Sequence, residues 1–579
     1  MGRRNDTKRF DRTEVADYVI VGLGTAGAPL ARYLSEKSSV IVLEAGENRS
    51  DDPNVLEGAP LGADLEADPL YTFHRSADPS DVVTIEEVFV DTQGRMWGGS
   101  SAHNSLIAVR SSPDAYNAWA AASDNPVWSY DNLLPIMKFM ETYTPRGTAL
   151  NEEQRGTDGP LFITQDVPLP DNFYADMAAA TNAPLTPDIN DPSLPNGDVG
   201  TATLQWFSTP PLENTLRSWS ISAFLPDDIV DADGYGRCGR QLRILSRATV
   251  AEIILEDGRN ECGCHVTRAV GVRYYLNDRP EQVLVVRARK KVILCAGTIA
   301  NPPILQRSGI GPREVLESLD LPVVLANDHV GRNMQQHYGP VGLIAEDPLN
   351  PPGFEPFFSD NFIDMSSLPG APFTVANSPG QIRPNDGVRK MQTFTVPQPF
   401  FIPRAILNAL EIDTEVPNIS ISGTLLADVT RTGTVEIVSI DPLTPPRIVL
   451  NLYKTQEEID RAIGAYKIFA NIAEEYGTTM LFPPAAQYPA PYGAAPDDSL
   501  LQQYVEDNTN IQHHNTGTCR MATSAAEGVV DGNLDVFGVE GLSCCDNSVI
   551  PEITRGNTAY PAYLIGLVKA KLEGADTPY

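Results

Sequence analysis

Residues 17–46, DYVIVGLGTAGAPLARYLSEKSSVIVLEAG, constrain the fold of this chain more than any other stretch. The run YVIV is short, apolar and β-branched, which predicts a buried parallel strand. The pattern Gly22-x-Gly24-x-x-Gly27 follows at once, a helical stretch comes next, and VIVLEAG predicts a second buried strand that ends in Glu44. This order of strand, glycine-rich turn, helix and strand predicts a βαβ unit that binds a dinucleotide.

Each glycine of that turn has a physical role. Gly22 permits the tight turn, Gly24 lets the backbone approach a pyrophosphate, and Gly27 allows the helix to pack closely on the strand. The N-terminus of the helix directs N–H donors and a positive dipole end at the phosphates. Glu44 lies 22 residues after Gly22, where an acid accepts hydrogen bonds from ribose hydroxyls. The spacing does not distinguish NAD from FAD.

Composition limits the remaining possibilities. A chain of 579 residues exceeds one compact core, and 42% hydrophobic with 20% charged residues is typical of a globular protein. The net charge of −32 argues against nucleic acid or an anionic membrane as a partner, because both are polyanions. No apolar run reaches about 18 residues, so no membrane span is expected.

Seven cysteines, an odd number dispersed along the chain, favour reduced thiols inside a cell. The charged N-terminus lacks the apolar segment of a secretory signal, so we expect an intracellular, soluble protein. The sequence Cys262-Gly-Cys264-His265 suggests a metal, but no second ligand cluster follows it. We therefore predict a loop or strand there and no metal site.

Five further stretches occur in a characteristic order: GRMWGGSSAHN (94–104), GTIANPPILQRSGIGP (297–312), VGRNMQQH (330–337), HHNTGTCRM (513–521) and DNSVIPEITRGNTAYPAYLIG (546–566). Together they resemble the signature segments of the glucose–methanol–choline (GMC) family of FAD-dependent oxidoreductases. The resemblance runs from about residue 15 to the C-terminus. Three positions depart from the family pattern, with Asn301 in place of Ser or Thr, Gln336 in place of an acid, and Asn515 in place of proline.

The resemblance implies an α/β fold, in which a Rossmann-like FAD-binding domain is intertwined with an α+β substrate domain that contains a large antiparallel sheet. The expected divisions are a disordered lead-in (1–13), a first FAD-domain part (14–165), a mixed segment (166–235), a second FAD-domain part (236–337), a substrate domain (338–510) and a C-terminal FAD-domain part with active-site residues (511–579).

Local patterns add elements to this outline. The segments RILSRATVAEIILED, AVGVRYYL, VLVVRARKKVILCAG, TGTVEIVSIDP and PRIVLNLY predict strands, and TQEEIDRAIGAYKIFANIAEEYG predicts a surface helix. The proline-rich stretches 345–356 and 482–496 predict loops or lids around the substrate domain.

The βαβ unit and the resemblance together assign cofactor contacts. Val250 matches the position where the family's backbone contacts adenine, and Asp546 matches one near the ribityl-phosphate region, although an N-cap role explains Asp546 equally well. The assigned FAD-binding residues are Gly22, Gly24, Thr25, Ala26, Gly27, Glu44, Ala45, Arg95, Gly98, Gly99, Ser100, His103, Asn104, Ser105, Val250, Ala296, Gly297, Asp546, Asn547, Asn557 and Thr558.

His103 raises a separate question. The stretch GGSSAHNSLIA fits the choline-oxidase-like pattern, in which this histidine is joined covalently to the 8α-methyl carbon of the flavin. Such a bond needs a neutral imidazole nitrogen aimed at the methyl group, and the glycines let the loop lie against the ring. The alternative is a buried histidine that is hydrogen-bonded to the backbone or to the flavin edge.

The chain has seven histidines, and the resemblance selects one for catalysis. His514 precedes Gly517-Thr518 as the catalytic histidine of the family does, and Asn557 in RGNT matches the second active-site position. A histidine suits proton removal because its unperturbed pKa is about 6.5, whereas Asn orients a substrate but cannot act as a base. The alternatives are a core histidine for His514 and a helix N-cap for Asn557.

These residues predict FAD-dependent oxidation of an alcohol to an aldehyde or ketone, with hydride transfer to flavin N5 and His514 as base or oxyanion partner. The expected partners are a small-molecule alcohol and oxygen or another electron acceptor, and a homo-oligomer stays open. The residues do not distinguish an oxidase from a dehydrogenase. Two alternatives are a flavin-containing lyase without redox chemistry and a structural or binding protein on the same fold.

Overall fold

The computed structural model describes most of the chain. The described residues are 14–56, 72–76, 90–145, 150–165, 186–194, 201–203, 205–210, 216–259, 262–345, 359–363, 391–397, 419–426, 429–475, 480–482, 499–507 and 509–577. The expected lead-in, 1–13, lies outside them, as do the two proline-rich stretches apart from residues 345 and 482.

Within these ranges the helices are α1 (Gly27–Leu34), α2 (Pro53–Leu56), α3 (Pro113–Ser123), α4 (Tyr130–Met140), α5 (Ser220–Phe224), α6 (Asn301–Arg307), α7 (Arg313–Ser318), α8 (Gln456–Glu475), α9 (Ser499–Asp507) and α10 (Ala559–Leu572). The strands are β1 (Glu14–Val21), β2 (Val40–Leu43), β3 (Thr72–Ser76), β4 (Val90–Gly94), β5 (Glu141–Thr144), β6 (Leu161–Gln165), β7 (Thr201–Thr203), β8 (Gln205–Trp206), β9 (Leu242–Leu245), β10 (Ala248–Arg259), β11 (His265–Leu276), β12 (Arg279–Leu294), β13 (Ile310–Gly311), β14 (Leu325–Ala326), β15 (Tyr338–Ala345), β16 (Ser359–Ile363), β17 (Met391–Pro397), β18 (Ile419–Leu426), β19 (Thr434–Glu436), β20 (Arg447–Val449), β21 (Met480–Phe482), β22 (Thr509–Ile511), β23 (Val539–Glu540) and β24 (Leu542–Cys544).

The first large sheet has eight described strands and contains the predicted βαβ unit. Its main path runs β10-β11-β12-β1-β2-β9, and β1 pairs in parallel with both β12 and β2. Helix α1 connects β1 to β2, and the four residues of β2 are all buried. A strand that is covered on both faces has a continuous apolar run rather than an alternating one, which is why YVIV and VIVL have that character.

The second large sheet is antiparallel and has seven described strands. Its path is β21-β15-β18-β17-β16-β7, with β22 paired to the other end of β15. Tyr338 pairs with Ile511, so the segments immediately before β15 and after β22 lie side by side. The Rossmann-like unit and this sheet confirm the predicted fold class.

The predicted strands are also confirmed, although some are shorter than their patterns. RILSRATVAEIILED forms β9 and β10, AVGVRYYL lies in β11, and VLVVRARKKVILCAG lies largely in β12. TGTVEIVSIDP and PRIVLNLY contribute only the three-residue strands β19 and β20, which pair with each other.

The predicted surface position of α8 is wrong, although the helix itself is correct. Its residues from Arg461 to Lys467 are buried. Glu458 is 1% exposed and accepts hydrogen bonds from the backbone N–H groups of Thr430, at 2.7 Å, and Thr455, at 3.0 Å. Helical spacing of apolar residues predicts a solvated polar face, but here charged groups of the helix have partners inside the protein.

A buried ion-pair cluster that the sequence did not reveal joins the region 110–155 to α10. Glu141 is fully buried and accepts hydrogen bonds from Arg110 at 2.6 Å, Arg155 at 2.7 Å and the hydroxyl of Tyr560 at 2.9 Å. Arg155 also binds Asp188 at 2.6 Å. These two arginines hold the pKa of Glu141 below its usual range despite its burial. Removing one partner from such a cluster leaves an uncompensated buried charge.

The described part of the chain contains no helix with the length and apolarity required to cross a membrane.

Candidate active site

The turn between β1 and α1 is closed against the neighbouring strand. Gly22 has a left-handed φ of +99°, and a Cβ atom there would lie 2.3 Å from the carbonyl oxygen of Cys295. A Cβ on Gly27 would lie 2.3 Å from the oxygen of Gly22. Both glycines are therefore required by contacts within the protein.

Gly24 differs from these two glycines. It has no left-handed φ, and the nearest atom to an added Cβ is the Cα of Gly99, at 3.9 Å. The backbone N–H of Gly98 donates to Leu23 at 2.8 Å. The structure therefore brings the turn that holds Gly24, Thr25 and Ala26 against the second predicted loop and leaves open space in front of Gly24.

Glu44 lies at the end of β2, beside the same turn. Its carboxylate is buried and accepts hydrogen bonds from the backbone of Leu23 at 2.9 Å and of Gly46 at 2.8 Å. Burial raises the pKa of Glu44 to about 7. Its carbonyl accepts from Ala248 at 2.8 Å, which places β10, with the buried Val250, on this side of the turn.

The loop around His103 is held from below by an arginine that the sequence did not identify. Gly99–Ala102 form a short 3-10 helix, and His103, which is 3% exposed, follows it directly. The buried Arg217 donates through Nη1 to the carbonyl of Ser101 at 3.3 Å and to the carbonyl and side chain of Asn104 at 2.8 and 2.9 Å. No motif signalled Arg217, because its partners lie more than a hundred positions away.

Three other predicted residues of this region have individual positions. Ser100 accepts a hydrogen bond from the backbone of Gly94 at 3.1 Å, and Ser105 is partly buried in the same loop. Arg95 lies over the ring of Phe73, 5.1 Å from its centroid. Ala45 accepts a hydrogen bond at its carbonyl from Asn277, at 2.6 Å.

Asp546 joins two of the predicted segments. One carboxylate oxygen accepts from the backbone of Gly297 at 2.7 Å and from the amide of Asn301 at 2.8 Å, and the other caps the short helix 547–549 by accepting from Ser548 at 2.9 Å. Asn301 also accepts from the backbone of Ala296 at 3.0 Å. Asp546 thus has the N-cap role. Asn301, which departs from the family pattern, belongs to the same hydrogen-bond network.

The end of the chain supplies the remaining predicted residues. The side chain of Asn547 donates to the carbonyl of Thr558 at 3.3 Å, and Thr558 is the residue before the first turn of α10. Asn557 precedes it, and its amide nitrogen lies 3.3 Å from Nε2 of His514. The two predicted catalytic residues, 43 positions apart, are therefore brought together.

A second histidine, to which no motif assigns a role, lies against His514. Nδ1 of His514 lies 3.0 Å from Nδ1 of His337, and the two rings are perpendicular, at 89°. Nε2 of His337 lies 2.9 Å from the carbonyl oxygen of Thr554. His337 is the last residue of the segment VGRNMQQH, so the motif contains this residue but does not indicate its role.

These contacts determine which nitrogen carries each proton. A carbonyl oxygen only accepts, so Nε2 of His337 must carry a hydrogen. Burial lowers the pKa of His337 to about 3, so its ring is neutral and its Nδ1 is an acceptor. Nδ1 of His514 is therefore the donor between the two rings.

The consequence is an unprotonated Nε2 on His514, which can accept a hydrogen bond or a proton. Burial, together with the neighbouring His337 and His513, lowers the pKa of His514 well below its ordinary value. The neutral ring carries its proton on Nδ1, so Nε2 faces Asn557 as an acceptor. An imidazole nitrogen in this state can take a proton from a substrate hydroxyl.

His513 lies at the side of this arrangement. It has a left-handed φ of +56°, and its Nδ1 accepts from the backbone of Thr92 on β4 at a long 3.5 Å. Strand β4 therefore contacts both His513, the neighbour of His514, and the loop before His103, through Gly94 and Ser100.

The residues fit a bound FAD. The space in front of Gly24 suits a pyrophosphate, and the carboxylate of Glu44, bound only by backbone N–H groups among the described contacts, suits ribose hydroxyls. Within the described ranges, Oδ1 of Asn547 and Oγ1 of Thr92 are buried without a hydrogen-bond partner. A ligand that passes between these segments would supply such partners.

Family models cover most of the chain. The N-terminal model of the GMC oxidoreductases matches residues 16–339, and the C-terminal model matches residues 429–566. The chain belongs to the GMC oxidoreductase family. This confirms the predicted FAD cofactor and the prediction of an FAD-dependent oxidoreductase that acts on CH–OH donors.

Individual relatives are more distant. The chain is 28% identical over 568 residues to an oxygen-dependent choline dehydrogenase of Pseudomonas savastanoi. The alignment covers 95% of this chain and 92% of the relative. The fold of this chain is similar to a pyridoxine 4-oxidase from Mesorbium loti, with a TM-score of 0.74, 22% identity and coverage of 97% and 99% of the two chains. A formate oxidase matches with a TM-score of 0.77, 20% identity and coverage of 97% and 98%.

No metal site accompanies these features in the described part of the chain, where no group of three or more His, Cys, Asp or Glu side chains is arranged to hold an ion. Cys262 and Cys264 are exposed between β10 and β11.

Proposed function

We propose that this protein oxidises an alcohol to an aldehyde or ketone, with His514 as the base or oxyanion partner and Asn557 as the residue that orients the substrate. The observation that carries the proposal is the approach of Asn557 to within 3.3 Å of Nε2 of His514. Because His337 fixes the proton of His514 on Nδ1, the reactive nitrogen faces the position where the substrate hydroxyl must bind.

The protein and its cofactor divide the reaction between them. FAD, when bound, supplies the acceptor for the hydride of the carbinol carbon. Gly24, Glu44, the His103 loop and the segment around Asp546 and Asn547 would hold it. The protein must then place the substrate, remove the hydroxyl proton and stabilise the charge on oxygen.

The proton step preserves the contact between His514 and His337 and changes the contact between His514 and Asn557. Nε2 receives the hydroxyl proton, while Nδ1 continues to donate to His337. A protonated Nε2 no longer accepts from Asn557, so the Asn557 amide would donate to the substrate oxygen instead. Asn557 can therefore donate to His514 before proton transfer and to the product oxygen after it.

We also propose that His103 tethers the flavin covalently. Its burial at the end of a short helix, in a loop fixed by Arg217, supports this role. Acid denaturation should leave the yellow colour with the protein, and the intact mass should include a flavin. Release of all the colour, with an unmodified mass, would instead support the hydrogen-bonded alternative for His103.

The larger assignments are further proposals. The boundaries 14–165, 166–235, 236–337, 338–510 and 511–579 are supported by the two large sheets, and β7 pairs with β16 although they belong to different segments. The electron acceptor is oxygen or another oxidant, and the rate of flavin reoxidation in air distinguishes an oxidase from a dehydrogenase.

The function is tested by anaerobic reduction of the bound flavin with a panel of primary, aromatic and sugar alcohols. We expect at least one alcohol to bleach the flavin, and His514→Gln to slow that reduction about 10²–10⁴-fold because the base is lost. His265→Gln is the matched control, since His265 is exposed on β11, and it should leave the rate unchanged. No bleaching by any alcohol would favour the lyase or binding-protein alternatives.

A further inference from the structure

The backbone around His514 forms an arch between two fixed points. Gln512 donates from its backbone to His337 at 3.0 Å. Thr516 and Gln335 exchange two backbone hydrogen bonds, at 2.9 and 3.1 Å. The three residues between these anchors, 513–515, leave the ladder, and the left-handed φ of His513 marks the departure. The catalytic histidine therefore lies on a segment without ladder hydrogen bonds of its own.

The side chain of Gln336 fills the gap under this arch. Its Oε1 accepts from the backbone N–H of His514 at 2.5 Å, and its Nε2 donates to Oδ1 of Asn515 at 2.9 Å. Gln336 is 3% exposed, so neither bond competes with bulk water. The carbonyl of Asn515 is held in addition by the hydroxyl of Thr298, at 2.8 Å.

The orientation of both amides follows from chemistry. A backbone N–H only donates, so the oxygen of Gln336 must face His514 and its NH₂ must face Asn515. Asn515 must then present its oxygen. A carboxylate at position 336 could accept from His514 but could not donate to that oxygen, so the pair of amides forms one matched unit.

We propose that Gln336 and Asn515 are positioning residues that hold His514 in line with Asn557. The inference rests on the proposed role of His514. Gln336 and Asn515, which both depart from the family pattern, then act together. Their two side-chain hydrogen bonds constrain a backbone that lacks the proline ring of the family. A displacement of the base by about 1 Å costs up to about 10²-fold in rate, so these hydrogen bonds act on the rate.

The first test compares Gln336→Leu, Asn515→Ala and the double variant in anaerobic flavin reduction by the best alcohol. Gln336→Leu should lower the limiting rate about 10–100-fold with little change in KM, because the base moves and the substrate contacts stay. Asn515→Ala should cost less, since the bond to His514 survives. The double variant should be no slower than Gln336→Leu, because the pair acts as a unit. Independent, multiplying losses would overturn the pairing.

The conservative variant Gln336→Glu gives a readout that general damage would not produce. Its carboxylate still accepts from His514, so most of the rate should return at high pH. Among the described residues, the groups that interact with the His514 ring are His337, His513 and Asn557, and none of these three carries a negative charge. The new charge should raise the pKa of His514 and move the acidic limb of the pH–rate profile upward by about one unit. An unmoved limb would overturn the proposal.

Hydrogen exchange of the His514 amide tests the geometry without turnover. In the intact flavoprotein, Gln336→Leu should speed exchange of this amide at least about tenfold, because its acceptor is removed. Gln306→Leu is the matched control. It removes another buried glutamine with backbone partners, at Val435 and Ile437, and should lower thermal stability without exposing His514. An unchanged exchange rate in Gln336→Leu would refute the positioning role of Gln336.

These outcomes also separate the two proposals. If no alcohol reduces the wild-type flavin, the proposed function fails, while the exchange experiment still tests whether Gln336 holds the backbone of His514. If the wild type is active and Gln336→Leu keeps its rate within twofold, the positioning role of Gln336 is refuted and the proposed function is not.

Discussion

Replacing Gly24 by alanine should separate the folding role of the glycine-rich turn from its binding role. An added Cβ meets only the Cα of Gly99, at 3.9 Å, and Gly24 has no left-handed φ. The apoprotein should therefore lose no stability, and the lower entropy of its unfolded chain should stabilise it by about 0.4–1 kcal/mol.

Cofactor affinity should respond in the opposite direction. The methyl group occupies the space that a pyrophosphate needs and moves it away from the backbone N–H donors of the turn. Losing two charge-assisted hydrogen bonds at about 1.5–3 kcal/mol each should raise the Kd for FAD by about 10²–10⁴-fold. Gly22→Ala provides the contrast, since φ of +99° costs about 1–3 kcal/mol in alanine. A Cβ there also lies 2.3 Å from the oxygen of Cys295, so the fold itself should suffer.

The assay measures the flavin-to-protein ratio after purification and the thermal midpoint of flavin-free protein for both variants. Gly24→Ala should give folded protein with little flavin, and Gly22→Ala should give protein with a lower midpoint or little soluble protein. A Gly24→Ala protein that retains wild-type flavin content and affinity would refute the assignment of this space to the pyrophosphate.

Three further predictions concern buried groups. The pKa of His337 is about 3 when folded and about 6.5 when unfolded, so stability is lost as pH falls between these values. The stability gap between wild type and His337→Gln should therefore narrow by about 2 kcal/mol from pH 7.5 to pH 5, and denaturant titrations showing a constant gap would contradict this. Glu141→Gln should cost about 3–5 kcal/mol by leaving Arg110 and Arg155 short of a charge, and a thermal midpoint equal to that of wild type would disprove it. Arg217→Lys loses the hydrogen bonds from Nη1 to Ser101 and Asn104 in the His103 loop, so flavin content should fall while circular dichroism stays unchanged.

The sequence predicted those parts of the fold that depend on local pattern. The β1–α1–β2 unit, β9 to β12 and α8 follow from apolar runs, glycines and helical spacing, and the structure contains all of them. Strand order could not be predicted this way, because the pairing of β12 with β1 joins residues more than 250 positions apart. The position of α8 failed for a related reason, since the partner of Glu458 at Thr430 lies outside any local window.

The candidate site shows the same division. Motif matching identified His514 and Asn557, and the structure places them in contact. It could not identify the role of His337, because the proton assignment on His514 depends on a contact across 177 positions and on the carbonyl of Thr554. Arg217 belongs to no motif at all. Residues that lie in a motif can be assigned a role from sequence, whereas His337 and Arg217 are brought to these residues only by the tertiary structure.

The three departures from the family pattern bear on the alternative of a fold without chemistry. Relaxed selection on a binding scaffold would leave substituted side chains without matched partners near the old site. Here Asn301 makes hydrogen bonds through both ends of its amide, to Ala296 and to Asp546. Gln336 donates to Asn515 and accepts from the backbone N–H of His514. Each substituted position therefore fixes a segment that contributes to the candidate site, so the departures argue for an active site that is held by different contacts and against a site that has been lost.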